Sequence, residues 1–431
     1  MGGSRSLAEL SSVVQRSLSS IDQALKANGS PQPSLDRGSA VFTPPEGLEE
    51  TRLELYDAID ELQSLLRSPT DHLYQRTTLS FLELGTYDLV THFEIPQALG
   101  LEETLSYAEL GRRIGLPEDD TRRIVRGAIS LRLFDAVVSP SQGEEKIRHN
   151  TLSATLATDP ELSSFLRAMA TAGNALLVNG AKALRMGDIS QCAFSIAHDG
   201  KSFFDYAKDH PELEDEFKKA MTMQSRAPGY HVSATAEAVG WGDGNAGSQW
   251  CPETIVDVGG STGTLSKALL VRYPKIRSAT VQDLPEVVAG QQQNQQQHDK
   301  EFAGRLSFAA HNFFQDQPVK NADAYLLRTI LHDWPDERAA EILRRQIPAL
   351  KPGARIIIND FCVPPPAPRS EFRDRPARAY DLLMRTVFNG KERSLDDWKR
   401  LLAAADPRFE LKQVTTPEGA KLSVIEVVWR G

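Results

Sequence analysis

The chain has 431 residues, with 49 Lys and Arg against 58 Asp and Glu, and a net charge of −9. That balance excludes the broad basic surface on which a dedicated nucleic-acid binder depends, and no apolar run is long enough for a membrane span. Its three cysteines, Cys192, Cys251 and Cys362, lie far apart without CxxC spacing, so neither a disulfide framework nor a zinc site is expected, and a reducing, cytoplasmic compartment is. The N-terminal "MGGSRSLAEL" has no apolar signal core; it fits only the loose acylation pattern, and one acyl chain anchors marginally.

In chain order, Leu7, Leu10, Val14, Leu18, Ile21 and Leu25 recur at helical spacing and predict an amphipathic helix over 6–27. The Pro-, Gly- and Ser-rich stretch 28–47 reads as a linker or arm, closing a first segment, 1–48. Two or three helices follow to about residue 100. The stretch 106–138 opens on a capping box, Ser106 with Glu109, turns at "GLP" and continues in a helix with Ile124, Ile129 and Leu133 inward. With "DAVVS" and "EKIRHN" as a strand pair it reads as a winged helix, in a mainly α-helical second domain over 49–160. Arg122, Arg123 and Arg126 on that helix leave a DNA-binding regulator open as one reading. Glu118, Asp119 and Asp120 at its head would repel phosphates and point to dimerisation or capping instead. His149 reads as a structural residue of the wing.

Residues 153–235 read as helices. From 254 short apolar runs alternate with helical segments: "TIVDVGG", "SATVQDL", "LSFAAHN", "ADAYLLR" and "ARIIIND". That is the pattern of a parallel, doubly wound α/β sheet. "FELKQVT" and "LSVIEVVW", with no helix between them, add a terminal hairpin with one antiparallel strand, and a third domain spans 161–431. "GQQQNQQQHDK" (290–300) reads as the end of a surface helix and a loop.

The turn "VDVGGSTG" fails the dinucleotide pattern, because Ser261 stands where its second glycine belongs. Asp257 at the strand end would repel a pyrophosphate and suits a cation. Gly259, Gly260 and Gly263 allow a tight turn before a helix N-terminus. S-adenosylmethionine combines an ammonium for the acid with a carboxylate for N–H donors. Asp283, 20 residues past Gly263 at the next strand end, is placed to accept two ribose hydroxyls. The other reading is an ordinary strand–helix turn with incidental acids.

In order and spacing, "VDVGGSTG", "QDLP", "LHDWPDE" and "GKERS" resemble the plant caffeic-acid-type and fungal O-methyltransferases over nearly the whole chain. The resemblance implies a class I methyltransferase Rossmann-like domain, mostly parallel, joined to an N-terminal winged-helix dimerisation domain. It implies S-adenosyl-L-methionine contacts at Gly259, Gly260, Asp283, Asn312, Phe313 and Arg328, with Ser225 as a further one. Asn312 departs from the family's aspartate beside the adenine; its amide oxygen can still accept from the adenine amino group. A homodimer is expected, since the apolar stripes of 6–27 and 53–66 lack partners in their own helices and such helices intertwine in the resembling enzymes.

"LLRTILHDWPDE" puts His332 past the fourth strand of the sheet, at the edge where open α/β sheets bind ligands. Read alone, the stretch is equally a helix start, with Asp333 as cap and Trp334 as packing. The resemblance makes His332 the general base, with Asp360 and Glu392 as flanking acids, and requires no metal. A neutral imidazole can take a phenol proton, and a carboxylate on its other nitrogen would fix the tautomer. Tyr380, Met384 and Phe388 stand one helical turn apart; by resemblance Met384 faces the acceptor, and Met221 and Met223 are further candidates, with core packing as the alternative for each. The expected activity is O-methylation of a phenol or enol of a secondary metabolite. The rivals are a non-methylating pericyclase on the same scaffold and the winged-helix regulator.

Overall fold

The computed structural model describes residues 5–40, 42–45, 47–138, 143–187, 190–242, 250–292, 300–302, 304–364 and 371–431. The chain divides into two compact units. The first comprises Met1–Asn174, Phe204–Gln224 and Pro368–Pro376, and the second Ala175–Phe203, Ser225–Ala367 and Ala377–Gly431. The boundaries expected at 48 and 160 do not coincide with this division, because the chain returns twice to the first unit.

In the first unit, helix Leu7–Ala27 starts on a capping box of Ser6 with Glu9 and packs on helix Glu49–Leu65. Leu10, Leu25, Leu55 and Ala58 are buried, and Arg5 bridges to Asp57 at 2.9 Å and Glu61 at 2.8 Å. The two stripes thus cover parts of each other, which corrects the expectation that they lack partners. Helix Pro69–His92 also stays open, with Leu73, Tyr74, Phe81 and Leu82 all exposed.

Strand β1 (Thr104–Ser106), helices Tyr107–Ile114 and Glu118–Ser130, β2 (Phe134–Val138) and β3 (Glu145–His149) form the winged helix, with the sheet order β1-β3-β2. The Ser106–Glu109 capping box is present. Val125 and Ala128 of the second helix and Leu133 just after it are buried, while Ile124 and Ile129 pack partly buried against the same core. β1 has too few residues to show alternation. Arg122, Arg123 and Arg126 are paired with Glu118, Asp120 and Glu145, so the cations offered to DNA are neutralised in place. His149 is buried between Ser153 Oγ at 2.9 Å and the Leu99 carbonyl at 2.8 Å, a structural position.

The second unit holds a seven-stranded sheet. Its strands β4 (Thr254–Val258), β5 (Ser278–Asp283), β6 (Leu306–Ala310), β7 (Ala324–Arg328) and β8 (Arg355–Asp360) run parallel. A short parallel bridge joins β9 (Cys362–Val363) and β10 (Arg393–Ser394). The chain ends with β11 (Phe409–Thr415) and β12 (Ser423–Trp429), giving the order β11-β12-β8-β7-β4-β5-β6 with β12 the antiparallel strand. Alternate residues enter two cores: Tyr325, Leu327, Ile356 and Ile358 on one side, Ala324, Leu326 and Ile357 on the other. Burial on both faces makes these strands read as continuous apolar runs. The strand order reverses at β4, so the loops after β4, β5, β7 and β8 meet at one edge, the topological switch point. Most of the polar tract 290–300 lies outside the described residues; its start belongs to helix Pro285–Gln292. No helix among the described residues is long and apolar enough to cross a membrane.

Candidate active site

The turn after β4 closes on itself. Gly259, with φ +71°, and Gly260 both donate their N–H groups to the Gln282 carbonyl, at 2.8 and 3.0 Å, and Ser261 donates to Asp283 Oδ2 at 2.8 Å. A ligand against either glycine would therefore meet it without an N–H donor. Asp257, expected to present its charge to a cation, lies instead beneath the turn. It is 1% exposed, and its Oδ2 accepts from Ser266 Oγ at 2.7 Å. Burial pushes its pKa up to about 6, against the Ser266 hydrogen bond. A Cβ on Gly260 would stand 2.5 Å from Asp257 Cγ, so the buried acid requires the glycine. Gly260→Val is accordingly expected to impair folding itself, seen as a melting temperature lowered by 5 °C or more, since overpacking by ~1–3 kcal/mol shifts a domain of this size by several degrees.

Asp283 ends β5 with Oδ1 accepting from Leu284 N–H and Oδ2 from Ser261 N–H, each at 2.8 Å. After β6, the Asn312 amide oxygen accepts from Phe314 N–H at 3.0 Å, and Phe313 stands edge-on to Phe314 and Trp334. Arg328 ends β7 and is committed to protein acceptors: Tyr230 O at 2.6 Å, Thr235 Oγ1 at 3.2 Å and Asn359 Oδ1. Ser225 is half-buried near the end of helix Pro211–Arg226.

Past β7 the chain makes a single 3-10 turn, Leu331–Asp333. His332 is buried there, with Nδ1 2.9 Å from Glu392 Oε1 and Nε2 3.4 Å from Asp333 Oδ1. Burial acts to lower its pKa, but the charges of Asp333, Asp360 and Glu392 outweigh it and push it up to about 10. Burial pushes the Asp360 carboxyl up to about 7, with His332 opposing, and the Asp333 carboxyl up to about 6. Both Asp360 oxygens and Glu392 Oε2 are buried without a hydrogen-bond partner. Glu392 is itself pinned by Asp381, whose Oδ1 accepts its backbone N–H at 2.9 Å.

The O-methyltransferase domain family matches residues 180–407. The O-methyltransferase pgmB of Aspergillus terreus is 34% identical over 432 residues, covering 98% of this chain and 95% of its own. The grayanic acid biosynthesis cluster O-methyltransferase of Cladonia grayi is 34% identical over 431 residues, covering 98% and 88%. The chain belongs to the S-adenosylmethionine-dependent O-methyltransferase family. Its fold is also that of a solved structure described as a pericyclic reaction enzyme, with a TM-score of 0.72 at 22% identity over 97% of this chain and 99% of the other.

Asp283 ends β5, and Asn312 and Phe313 follow β6, the neighbouring strand. His332, Asp360 and Glu392 come together as expected from the motifs. Asp333 was misjudged: the following helix, Asp336–Gln346, starts behind Pro335 with no side-chain cap, and Asp333 is the acid at His332 Nε2. Trp334 does pack, 4.8 Å from Phe314. Met384 is buried and Phe388 stands 5.1 Å from Phe203, whereas Met221 and Met223 lie on helix Pro211–Arg226 in the first unit. Arg393, fully buried beside the Leu331–Asp333 turn, carried no sequence signal beyond its place in "GKERS".

The cluster makes stability depend on pH. His332 holds its proton more tightly folded than unfolded, so its contribution is full below about pH 6.5 and lost as pH rises to about 10. Asp333 and Asp360, with raised pKa values, also bind protons more tightly in the native state, so their contribution has the same sign at lower pH. The melting temperature is expected to fall by ~5–10 °C between pH 7 and 10, and His332→Ala should flatten that fall in a scanning fluorimetry series.

Proposed function

We propose that the protein methylates a phenolic or enolic hydroxyl of a secondary metabolite, with His332 Nε2 taking the hydroxyl proton. The observation that carries this is the Nδ1 contact with Glu392 at 2.9 Å, which fixes the tautomer that leaves Nε2 to accept. The cofactor's sulfonium supplies an already activated methyl group, so the chain has only to hold the partners and manage one proton. A phenol has a pKa of about 10, and His332 is pushed up to about 10, so the two hold the proton with similar affinity. The three surrounding carboxylates compensate the imidazolium that forms.

Asp283 would hold the ribose hydroxyls and Asn312 and Phe313 the adenine, with Gly259, Gly260, Arg328 and Ser225 shaping the same site. Met384 and Phe388, both in the second unit, are proposed for the acceptor. The reading takes the metabolite class from the named fungal relatives, and a reducing cytoplasm from three free cysteines. The exposed apolar residues of helix Pro69–His92 support a homodimer; light scattering at micromolar concentration should give twice the chain mass, and a monomer would refute it.

Because His332 is protonated at neutrality in the free protein, the fraction able to act as base rises tenfold per pH unit. Log kcat/KM should therefore still climb between pH 7 and 9; a plateau below pH 7.5 would contradict it. The same protonation favours one other reading, a pericyclase in which His332 donates to a carbonyl, in keeping with the shared fold. Incubation with methyl-labelled S-adenosylmethionine and a panel of phenolic polyketides, amino-acid-derived metabolites and flavonoids separates the two: label in an extractable product supports methyl transfer, and conversion without label supports the pericyclase.

A further inference from the structure

Three loops carry the charged groups of the site: the end of β8 carries Asp360, the 331–336 turn His332, and the 389–394 loop Glu392. They share Arg393, which is 0% exposed. Its Nη1 donates to the Leu331 carbonyl at 2.7 Å, Nη2 to the Trp334 carbonyl at 2.8 Å and Nε to Asp336 Oδ1 at 2.9 Å. Its backbone, in β10, pairs with Cys362 of β9, two residues beyond Asp360. The guanidinium lies 5.3 Å from the centroid of the buried Trp398 ring. The same loops close further where Lys391 N–H donates to the His332 carbonyl at 2.8 Å, an approach that a Cβ on Gly390 would block.

We propose that Arg393 is a positioning residue for catalysis: by gripping the carbonyls on either side of His332 while its own backbone carries Glu392, it sets the His332–Glu392 contact. The rigid planar fork of a guanidinium can reach two carbonyls and a carboxylate at once. A lysine keeps the charge but is a point donor and cannot span them. The proposal rests on the reading of His332 as the reacting base, and its test reads the histidine directly, without an acceptor.

The test titrates His332 by imidazole nitrogen NMR in the full-length parent and in Arg393→Lys, with the resonance assigned by its loss in His332→Ala. Calorimetry with S-adenosylhomocysteine reports on the fold alongside. His332 faces Asp333, Asp360 and Glu392, so a loosened Glu392 contact releases its proton more easily. The expected result is a proton affinity ~10-fold or more lower in Arg393→Lys, with S-adenosylhomocysteine affinity within about threefold of the parent. A titration identical to the parent's in a folded Arg393→Lys overturns the proposal and leaves Arg393 a packing residue. Should that variant not fold, Asp336→Ala frees Arg393 Nε, while Lys391 Nζ, which also pairs with Asp336, keeps Asp397; it should lower the affinity by ~3-fold, with a parent-like titration again overturning it. A parent that fails to bind S-adenosylhomocysteine would count against the methyl-transfer reading, while the titration still decides this one.

Discussion

Replacing His332 with alanine is expected to lower kcat by ~10²–10⁴ at pH 7, the usual contribution of a positioned general base, and to leave S-adenosylhomocysteine affinity within a few-fold. The ring is buried against Glu392 and Asp333, and the charges acting on it come from Asp333, Asp360 and Glu392. Without it the acceptor must ionise unaided, so the variant should recover part of its rate as pH approaches the phenol pKa of about 10. Removing the imidazolium also leaves Asp333, Asp360 and Glu392 facing one another uncompensated, and at least one will hold a proton at neutrality. Rates measured from pH 6 to 10 in parent and variant check this; equal rates at pH 7 would reduce His332 to a residue of the turn.

Asp283→Ala is expected to weaken S-adenosylhomocysteine binding about 100-fold, a loss of ~3 kcal/mol for hydrogen bonds to a charged acceptor. Two effects add here. The ribose hydroxyls lose their acceptor, and the N–H groups of Ser261 and Leu284 lose theirs. Ser261 is held at φ +50°, a left-handed conformation unfavourable for a serine, so the turn itself loosens. Asp283→Asn keeps one acceptor and should fall between the two. Calorimetry with S-adenosylhomocysteine is the check, and unchanged affinity in Asp283→Ala would place the ligand elsewhere.

The parallel sheet was legible in the sequence because its strands are buried on both faces. Runs such as "ARIIIND" admit few other structures, and the observed strand Arg355–Asp360 lies within that run. That His332, Asp360 and Glu392 come together was legible through their motifs. What local reading could not supply was the third dimension of each motif. Asp257 looked like an acid at a strand end, yet the glycines after it fold back over it. Asp333 sits in a stretch that reads as a helix start, and only the 3-10 turn carries its carboxylate to His332 Nε2. Arg393 looks like an ordinary loop charge until four acceptors close around it. The apolar residues of helix Pro69–His92 are spread around its circumference, so no stripe marked it, although Leu73, Tyr74, Phe81 and Leu82 are exposed there.

The central claim is that His332 serves methyl transfer, and the most direct measurement is the ratio of S-adenosylhomocysteine formed to acceptor converted at pH 8. The account predicts a ratio of one in the parent, with both quantities falling together in His332→Ala. Acceptor converted with no S-adenosylhomocysteine formed would contradict it and make the histidine a hydrogen-bond donor to a rearranging substrate.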